Sequence, residues 1–110
     1  MAKRAASTRP VMTQVDTQDP AVDVLKALSD PIRLWIMSQI VSTNELACTS
    51  LEEALPVSKS TISYHMKILR GAGLINIRKQ GKFYHYTART KEIEELMPGL
   101  VPWLVKRSSA

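Results

Sequence analysis

Three local signals in the middle of the chain specify a short helix, a tight turn and a longer helix in direct succession. This order constrains the fold more than any other feature. Ser50, followed three residues later by Glu53, has the pattern of a capping box, which predicts the start of a short third helix. Pro56 ends that helix, and Ser58 is a suitable N-cap for a fourth helix that runs to Gly71. The segment therefore predicts a helix-turn-helix.

The segment behind the fourth helix has the composition of a β-hairpin. Residues 74–87 are rich in β-branched and aromatic side chains, and the polar run 79–82 divides them into two strands. A basic hairpin directly behind a helix-turn-helix is the arrangement called a wing. One alternating set of residues is predicted to share a face of this hairpin: Asn76, Arg78, Lys82, Tyr84 and Tyr86.

Two helices are predicted before the helix-turn-helix. Asp19-Pro20 and Asp30-Pro31 each place an N-cap carboxylate before a proline at the first helical position. The second of these helices is apolar over more than half of its circumference, which predicts that it is the most buried helix.

One helix is predicted after the hairpin. Thr90 is its expected N-cap, and Pro98 and Pro102 are expected to kink it or divide it into two pieces. The predicted fold is a mainly α-helical winged helix-turn-helix with one small β-hairpin, in the order helix, helix, helix, turn, helix, hairpin, helix.

The length of 110 residues suits a single domain. Residues 1–18 are polar and lack periodicity, which predicts a flexible N-terminal arm, and residues 19–107 are predicted to form the folded domain. The chain has neither the apolar run of about 18–20 residues that a membrane span needs nor the pattern of a secretory signal. A single cysteine, Cys48, excludes an internal disulfide framework and an all-cysteine zinc site. We expect a cytoplasmic protein.

The positive charge of the chain is concentrated in one window. Between Pro56 and Thr90 there are seven basic residues and no acidic residue, whereas the rest of the chain has eight basic and ten acidic residues. The window therefore carries +7 and the remainder −2, within a net charge of +5. Such a concentration predicts a surface that binds a polyanion, because neutralised phosphates release counterions and this release drives nucleic-acid binding.

The fourth helix is amphipathic in a way that suits duplex DNA. Ile62, Met66 and Leu69 fall on one buried stripe. The opposite face carries hydroxyl groups, one aromatic ring and one cation, which can reach base edges and phosphates. The predicted DNA contacts of this helix are Ser58, Lys59, Ser60, Thr61, Ser63, Tyr64, His65, Lys67 and Arg70. Those of the wing are Arg78, Lys79, Gln80, Lys82 and Tyr84.

Three segments, residues 25–34, 58–69 and 71–75, resemble the ArsR/SmtB family of bacterial winged-helix repressors. The resemblance covers roughly residues 20–97. It implies a homodimer joined through the first and last helices, with the fourth helix of each subunit reading DNA. Two such helices would meet successive major grooves, so the operator is expected to be an imperfect inverted repeat. The implied function is transcriptional repression that is relieved by a signal, commonly a metal ion. The implied interface residues are Val22, Leu25, Leu28, Ile93, Leu96, Leu100, Trp103 and Leu104.

The sequence departs from the family at its known metal sites. The family's thiolate site uses a Glu-Leu-Cys-Val-Cys-Asp-Leu run, and the matching run here has Ala47 and Thr49 at the cysteine positions, with Cys48 between them. The family's other common site uses aspartate and histidine on the last helix. That helix here has no histidine, and its carboxylates are Glu92, Glu94 and Glu95. Neither site can be carried over.

Weaker candidates for the signal remain. Carboxylates together with His85 in the wing are a candidate site for nickel or zinc, and Cys48 before a helix N-terminus is a candidate redox reporter with a lowered pKa. The alternatives are a packing histidine and a neutral, partly buried thiol. His65 is expected to support the fold or face the DNA, and the glutamates of the last helix are expected to form its solvated face.

Other classes of function fit the sequence less well than DNA binding does. The chain has no paired carboxylates, glycine-rich loop or nucleophile–base arrangement typical of an enzyme. A winged helix that binds RNA or protein is an alternative, but RNA readers stack bases on aromatic side chains and the fourth helix has only Tyr64. A third possibility keeps DNA binding and makes the signal a regulatory partner protein.

Overall fold

The computed structural model describes residues 15–109, so most of the predicted arm, residues 1–14, lies outside the described part of the chain. Within it the chain forms six helices and three strands. These are α1 (Pro20–Leu28), α2 (Pro31–Val41), β1 (Leu46–Ala47), α3 (Cys48–Ala54), α4 (Lys59–Gly71), β2 (Ile75–Gln80), β3 (Phe83–Ala88), α5 (Thr90–Leu96) and α6 (Leu100–Ser108).

Carboxylate caps start the first two helices as predicted. The side chain of Asp19 accepts a hydrogen bond from the backbone N–H of Ala21 at 2.9 Å. Asp30 accepts from the backbone N–H groups of Ile32 and Arg33 at 2.9 and 3.0 Å. The hydrogen bond from the Arg33 backbone is the main cause that lowers the pKa of Asp30. Each cap satisfies amides that the first turn of a helix leaves without a partner.

Helix α2 is the centre of the core, as its apolar circumference predicts. Ile36, Met37 and Ile40 are fully buried, and α2 contacts α1, α4, α6 and β3. Full burial of one such side chain contributes about 1.5–3 kcal/mol of transfer free energy. Helix α4, which carries the predicted contacts, packs on α2 and also on α1 and β2.

The third helix does not start where the capping box predicts. It begins at Cys48, and its N-cap is Ala47, whose side chain makes no capping hydrogen bond. The reason is a short strand that the sequence analysis missed: Leu46 pairs with Tyr86 and Ala47 with His85 on β3. Two residues are too few for a visible alternation, and the pairing keeps the chain extended up to the start of the helix.

The hairpin forms as predicted, but the predicted distribution of its side chains is wrong. The sheet is antiparallel in the order β1-β3-β2, and the turn between β2 and β3 has only two residues, Gly81 and Lys82. Gly81 has a φ of 63°, in the left-handed region that glycine adopts without strain. With this turn each even-numbered residue of β2 pairs with an odd-numbered residue of β3, as Arg78 does with His85.

The hairpin therefore has an inner and an outer face that differ from the predicted set. The inner face carries Ile75, Ile77, Lys79, Tyr84 and Tyr86, and the outer face carries Asn76, Arg78, Gln80, Phe83, His85 and Thr87. Tyr86 is a core residue with 4% exposure, and its burial raises the pKa of its phenol.

Two helices replace the single predicted last helix, which confirms the expected division. α5 ends at Leu96 and α6 begins at Leu100, with Pro98 and Gly99 between them. Pro102 does not interrupt α6, because it lies in the first turn, where its missing N–H costs no helical hydrogen bond. Thr90 is the first residue of α5, after an N-cap Arg89 without a side-chain capping bond.

Glu94 is not part of a solvated face, contrary to the expectation for the glutamates of the last helix. Its carboxylate accepts hydrogen bonds from the backbone N–H groups of Gly99 at 2.9 Å and Val101 at 2.8 Å. These two bonds lower the pKa of Glu94. The side chain thereby caps the start of α6 from the preceding helix.

Replacing Glu94 by alanine is expected to lower the Tm at pH 7, because two amides of the first turn of α6 lose their partner. The folded-state pKa of Glu94 is lowered, so its stabilisation is complete above the ordinary glutamate pKa and is lost as the pH falls through the folded value. The difference in Tm between wild type and variant should therefore shrink in acid.

Thermal unfolding followed by circular dichroism, from neutral pH to below pH 4, measures this difference. Glu95→Ala is the matched control, because Glu95 is an exposed neighbour on the same helix. Equal losses of Tm in the two variants at pH 7 would contradict the capping role.

Candidate nucleic-acid interface

Helix α4 begins with a cluster of hydroxyl groups. Ser58 Oγ accepts a hydrogen bond from the backbone N–H of Thr61 at 3.2 Å, which confirms Ser58 as the N-cap. The same oxygen lies 3.0 Å from Ser60 Oγ and 2.9 Å from Thr61 Oγ1. These exposed hydroxyls and the free amides of the first turn form a polar helix end that suits a phosphate.

The two faces of α4 are distributed as predicted. Ile62, Met66 and Leu69 are buried, with exposures of 2% or less. The opposite side presents exposed polar residues and one aromatic ring, Tyr64, which is 60% exposed. The exposed residues among the predicted contacts of α4 are Ser58, Lys59, Ser60, Ser63, Tyr64, Lys67 and Arg70, and Thr61 is half-buried.

His65 is a correction to the predicted DNA contacts. It is buried, with 6% exposure, and its Nδ1 lies 3.1 Å from Arg33 Nη1. A guanidinium has only donors, so Nδ1 accepts this hydrogen bond and the ring proton is on Nε2. Arg33 also donates from Nε to the backbone carbonyl of Ala27 at 2.6 Å. His65 therefore fastens α4 to α1 and α2 and does not face the DNA side.

A groove joins α4 to the wing. One cleft of about 230 Å³ is lined by Ser63, Lys67 and Arg70 of α4 and by Ile77, Tyr84 and other wing residues. A larger cleft of about 500 Å³ also has Ser63 and Tyr84 in its lining and extends to the start of α3, the start of α4 and the wing tip. We call this combined surface the α4–wing groove. The fold thus brings the hydroxyl-rich helix face and the inner face of the hairpin onto one concave side.

The positive charges of the window are not all available at this surface. Arg78 is paired with Glu45, Lys59 lies 3.9 Å from Glu52, and Arg89 lies 3.4 Å from Glu92. All three carboxylates come from outside the acid-free window. The distance between Lys59 and Glu52 is long and the lysine is 83% exposed, so this ion pair is weak and leaves Lys59 able to bind a phosphate. Within residues 15–109, four cations of the window have no carboxylate within 4.0 Å: Lys67, Arg70, Lys79 and Lys82.

Arg78 differs most from its predicted role in the wing. It lies on the outer face, and its guanidinium donates to both carboxylate oxygens of Glu45, at 2.9 and 2.7 Å. A further bond runs from Arg78 Nη1 to Gln80 Oε1 at 3.0 Å. The Arg78 hydrogen bonds are the main cause that lowers the pKa of Glu45. The guanidinium of Arg78 is therefore hydrogen-bonded to Glu45 and to Gln80.

The wing tip combines cations with aromatic rings. Lys79 Nζ lies 5.8 Å from the centre of the Tyr84 ring, and Lys82 Nζ lies 5.8 Å from the centre of the Phe83 ring. Phe83 is 50% exposed and was missed by the sequence analysis. An aromatic residue directly after a glycine–lysine turn is the signal that could have found it. Such a tip suits contact with a DNA backbone or minor groove.

The candidate metal and redox residues do not form a complete site in the described part of the chain. Residues 15–109 contain no group of three or more histidine, cysteine, aspartate and glutamate side chains placed to hold a metal ion. Cys48 Sγ donates to Glu52 Oε2 at 3.4 Å, and burial raises the pKa of this thiol, which agrees with the alternative of a neutral, partly buried thiol and not with a redox reporter of lowered pKa. Among residues 15–109 no helix is both long and apolar enough to span a membrane.

The residues predicted for the dimer interface divide into two groups. Ile93 and Leu104 are corrected, because they are 3% and 0% exposed and belong to the core of the single chain. The others are at least partly accessible. Those with exposures between 38% and 55% are Val22, Leu25, Leu96 and Trp103, and the half-buried ones are Leu28 and Leu100.

Comparison with known proteins identifies the family to which this chain belongs. A helix-turn-helix domain model matches residues 28–78. The chain is 38% identical over 94 residues to the uncharacterized HTH-type transcriptional regulator YceK of Bacillus subtilis, covering 84% of this chain and 93% of that protein. It is 35% identical over 72 residues to the arsenical resistance operon repressor of the same species, covering 66% of this chain and 69% of that protein.

A solved structure agrees with these relatives. HlyU from Vibrio cholerae superimposes with a TM-score of 0.69 at 31% identity, covering 83% of this chain and 94% of that one. Sequence, fold and surface chemistry lead to the same conclusion: the chain belongs to the ArsR/SmtB family and is a DNA-binding, winged helix-turn-helix transcriptional regulator, not an enzyme.

Proposed function

We propose that this protein is a repressor that binds an imperfect inverted repeat in duplex DNA as a homodimer and leaves it in response to a signal. The observation that carries the proposal is the α4–wing groove, which joins an acid-free helix face to a wing with two lysines that have no carboxylate within 4.0 Å among residues 15–109. It would act in the cytoplasm, where the DNA of a prokaryote is located.

The division of labour within the groove follows from the chemistry of its residues. Ser63 and Lys67 lie on the exposed face of α4, where they can reach base edges in a major groove. Lys79 and Lys82 lie on the wing, where they neutralise phosphates and add affinity that does not depend on sequence. Specificity is therefore expected from α4, and much of the salt dependence from the wing.

The exposed apolar residues of α1, α5 and α6 support the homodimer. Leu25 is 55% exposed and Trp103 is 48% exposed, which leaves large apolar areas in contact with water in the single chain. A chain of this length buries a modest core, so a second subunit adds stability by covering these exposed apolar areas. A two-fold axis would then present the two α4 helices to successive major grooves, about one turn of DNA apart.

The direction of regulation follows the named relatives. The arsenical resistance operon proteins of Bacillus subtilis and Escherichia coli are called repressors, whereas the HlyU protein of Vibrio cholerae is called a transcriptional activator. Relatives named as repressors, among them the two arsenical resistance operon proteins, favour repression as the direction for this chain. A partner protein and a transition metal such as nickel or zinc are the candidate signals.

A gel shift on the DNA upstream of its own gene tests the proposal as a whole. The protein is expected to retard this DNA in preference to random duplex and to RNA of the same length. Nickel, zinc, an oxidant and the products of neighbouring genes are then added in turn, and one of them is expected to release the DNA. Equal retardation of operator, random duplex and RNA would contradict the proposed function.

Lys67→Ala is expected to weaken operator binding by roughly 1–3 kcal/mol if the lysine reaches a base edge, and Ser63→Ala by a similar amount. The reason is the loss of a direct contact on the exposed face of α4. Fluorescence anisotropy with a labelled operator measures the effect. Lys91→Ala on α5 is the matched control, because it removes one exposed lysine outside the groove. A loss in Lys91→Ala as large as in Lys67→Ala would assign the effect to net charge alone.

Lys79→Ala and Lys82→Ala are expected to weaken operator and random duplex alike. Each loss of a phosphate contact should flatten the slope of log binding constant against log salt by about 0.9. Anisotropy titrations at several salt concentrations give the slope. An unchanged slope in both variants would remove the wing from the interface.

Leu25→Asp is expected to produce a monomer with reduced operator affinity even though every residue of the groove is intact. The carboxylate would have to be buried without a partner in the subunit interface. Sedimentation velocity gives the oligomeric state, and anisotropy gives the affinity. Val15→Asp is the control for adding one carboxylate at an exposed apolar position. A monomer that binds the operator as tightly as wild type would contradict the two-fold arrangement.

A further inference from the structure

One ion pair crosses the outer face of the whole sheet. Glu45 lies directly before β1, and Arg78 lies on β2, while β3 runs between these two strands. The carboxylate of Glu45 spans this distance with two hydrogen bonds, from Arg78 Nε at 2.9 Å and from Arg78 Nη2 at 2.7 Å. His85 of β3 lies beside the pair, with Nδ1 3.7 Å from Glu45 Oε1.

This pair uses every nitrogen of the guanidinium. Nε and Nη2 bind the two oxygens of Glu45, and Nη1 donates to Gln80 at 3.0 Å. Two-pronged pairing of this kind fixes the orientation of both side chains, which a single contact would leave free. Arg78 therefore points away from the inner face that carries Lys79 and Tyr84, and its charge is neutralised where it lies.

The pair lies where the wing leaves the core. Ile75 and Ile77 on β2 pack against the buried cluster. Beyond Ile77, every residue of the hairpin up to Tyr84 is exposed, so the distal half has no apolar packing to hold it. A two-stranded hairpin is at best marginally stable by itself. Arg78 is the first residue past the packed base, and Glu45 ties it to the loop that leads into the helix-turn-helix.

We infer that Glu45 is a positioning residue for DNA binding: through Arg78 it sets the direction of the wing relative to α4 and withholds the Arg78 charge from the phosphates. This inference rests on the proposed function of the α4–wing groove. The wing then binds phosphates through Lys79 and Lys82 while α4 contacts the bases of the same DNA site. Without Glu45, the distal hairpin loses its tie and Arg78 becomes an additional contact that carries no sequence information.

Two models predict opposite effects for Glu45→Ala. In the positioning model, random duplex binds more tightly, with a salt slope steeper by up to about 0.9, while operator binding weakens. The ratio of operator to random affinity then falls by roughly two- to fivefold, the range expected for a partly exposed ion pair. If Arg78 instead turns to the DNA on binding, Glu45 competes with the phosphates, and its removal strengthens operator and random binding together.

The reversed pair Glu45→Arg with Arg78→Glu tests the geometry separately from the charge. It keeps the net charge and restores an ion pair across the sheet, so the operator-to-random ratio is expected to recover from the value of Glu45→Ala toward wild type. Glu53→Ala is the matched control, because Glu53 is an exposed glutamate on α3 without a recorded ion pair in the described chain. Thermal unfolding confirms that each full-length variant is folded.

The possible outcomes distinguish a failure of the proposed function from a failure of the role of Glu45. If the wild-type protein binds no duplex DNA in a salt-dependent manner, the proposed function fails. If wild type binds but Glu45→Ala leaves the operator-to-random ratio unchanged or raises it, only the role of Glu45 is overturned. A lowered ratio with recovery in the reversed pair supports the inference, and a lowered ratio without recovery contradicts the positioning part of it.

Discussion

The packing of α4 on α1, α2 and β2 is the interaction on which the rest of this molecule depends. The stripe of Ile62, Met66 and Leu69 removes one side of α4 from water, and the opposite side is presented to solvent as a consequence. The Arg33–His65 hydrogen bond adds direction to this packing, because apolar contact alone tolerates rotation about the helix axis and a hydrogen bond does not. The side chains of α4 that are exposed to solvent are therefore determined from the buried side of the helix.

The positive charge available at the surface depends on which cations are paired with carboxylates as well as on how many cations lie in the acid-free window. The acid-free window brings seven cations into one region, and carboxylates from other parts of the chain then neutralise or engage three of them. The four that stay without a carboxylate partner in the described chain lie on the exposed side of α4 and on the distal wing. The number of cations in the window is thus larger than the number that this surface can offer to a polyanion without first breaking an ion pair.

The two ends of the fold meet different demands. The proposed DNA-binding side needs exposed polar groups held at fixed directions, and α4 and the hairpin carry such groups. The far side carries the exposed apolar residues of α1 and α6, and Glu94 caps the start of α6. Residues 45–51, which depart from the family's thiolate pattern, lie beside the wing. They supply β1, the start of α3 and the carboxylate that pairs with Arg78.

The sequence by itself determined the features that depend on neighbours along the chain. The two Asp-Pro caps, the Ser58 cap, the stripe on α4 and the division near Pro98 were all predicted correctly, because capping and helical periodicity act over a few residues. The start of α3, the faces of the hairpin, the burial of His65 and the pairing of Arg78 were decided by the tertiary structure. His65 and Arg78 meet their partners across 32 and 33 residues of sequence. No local pattern encodes such a contact, since it exists only after α2, α4 and the sheet have packed.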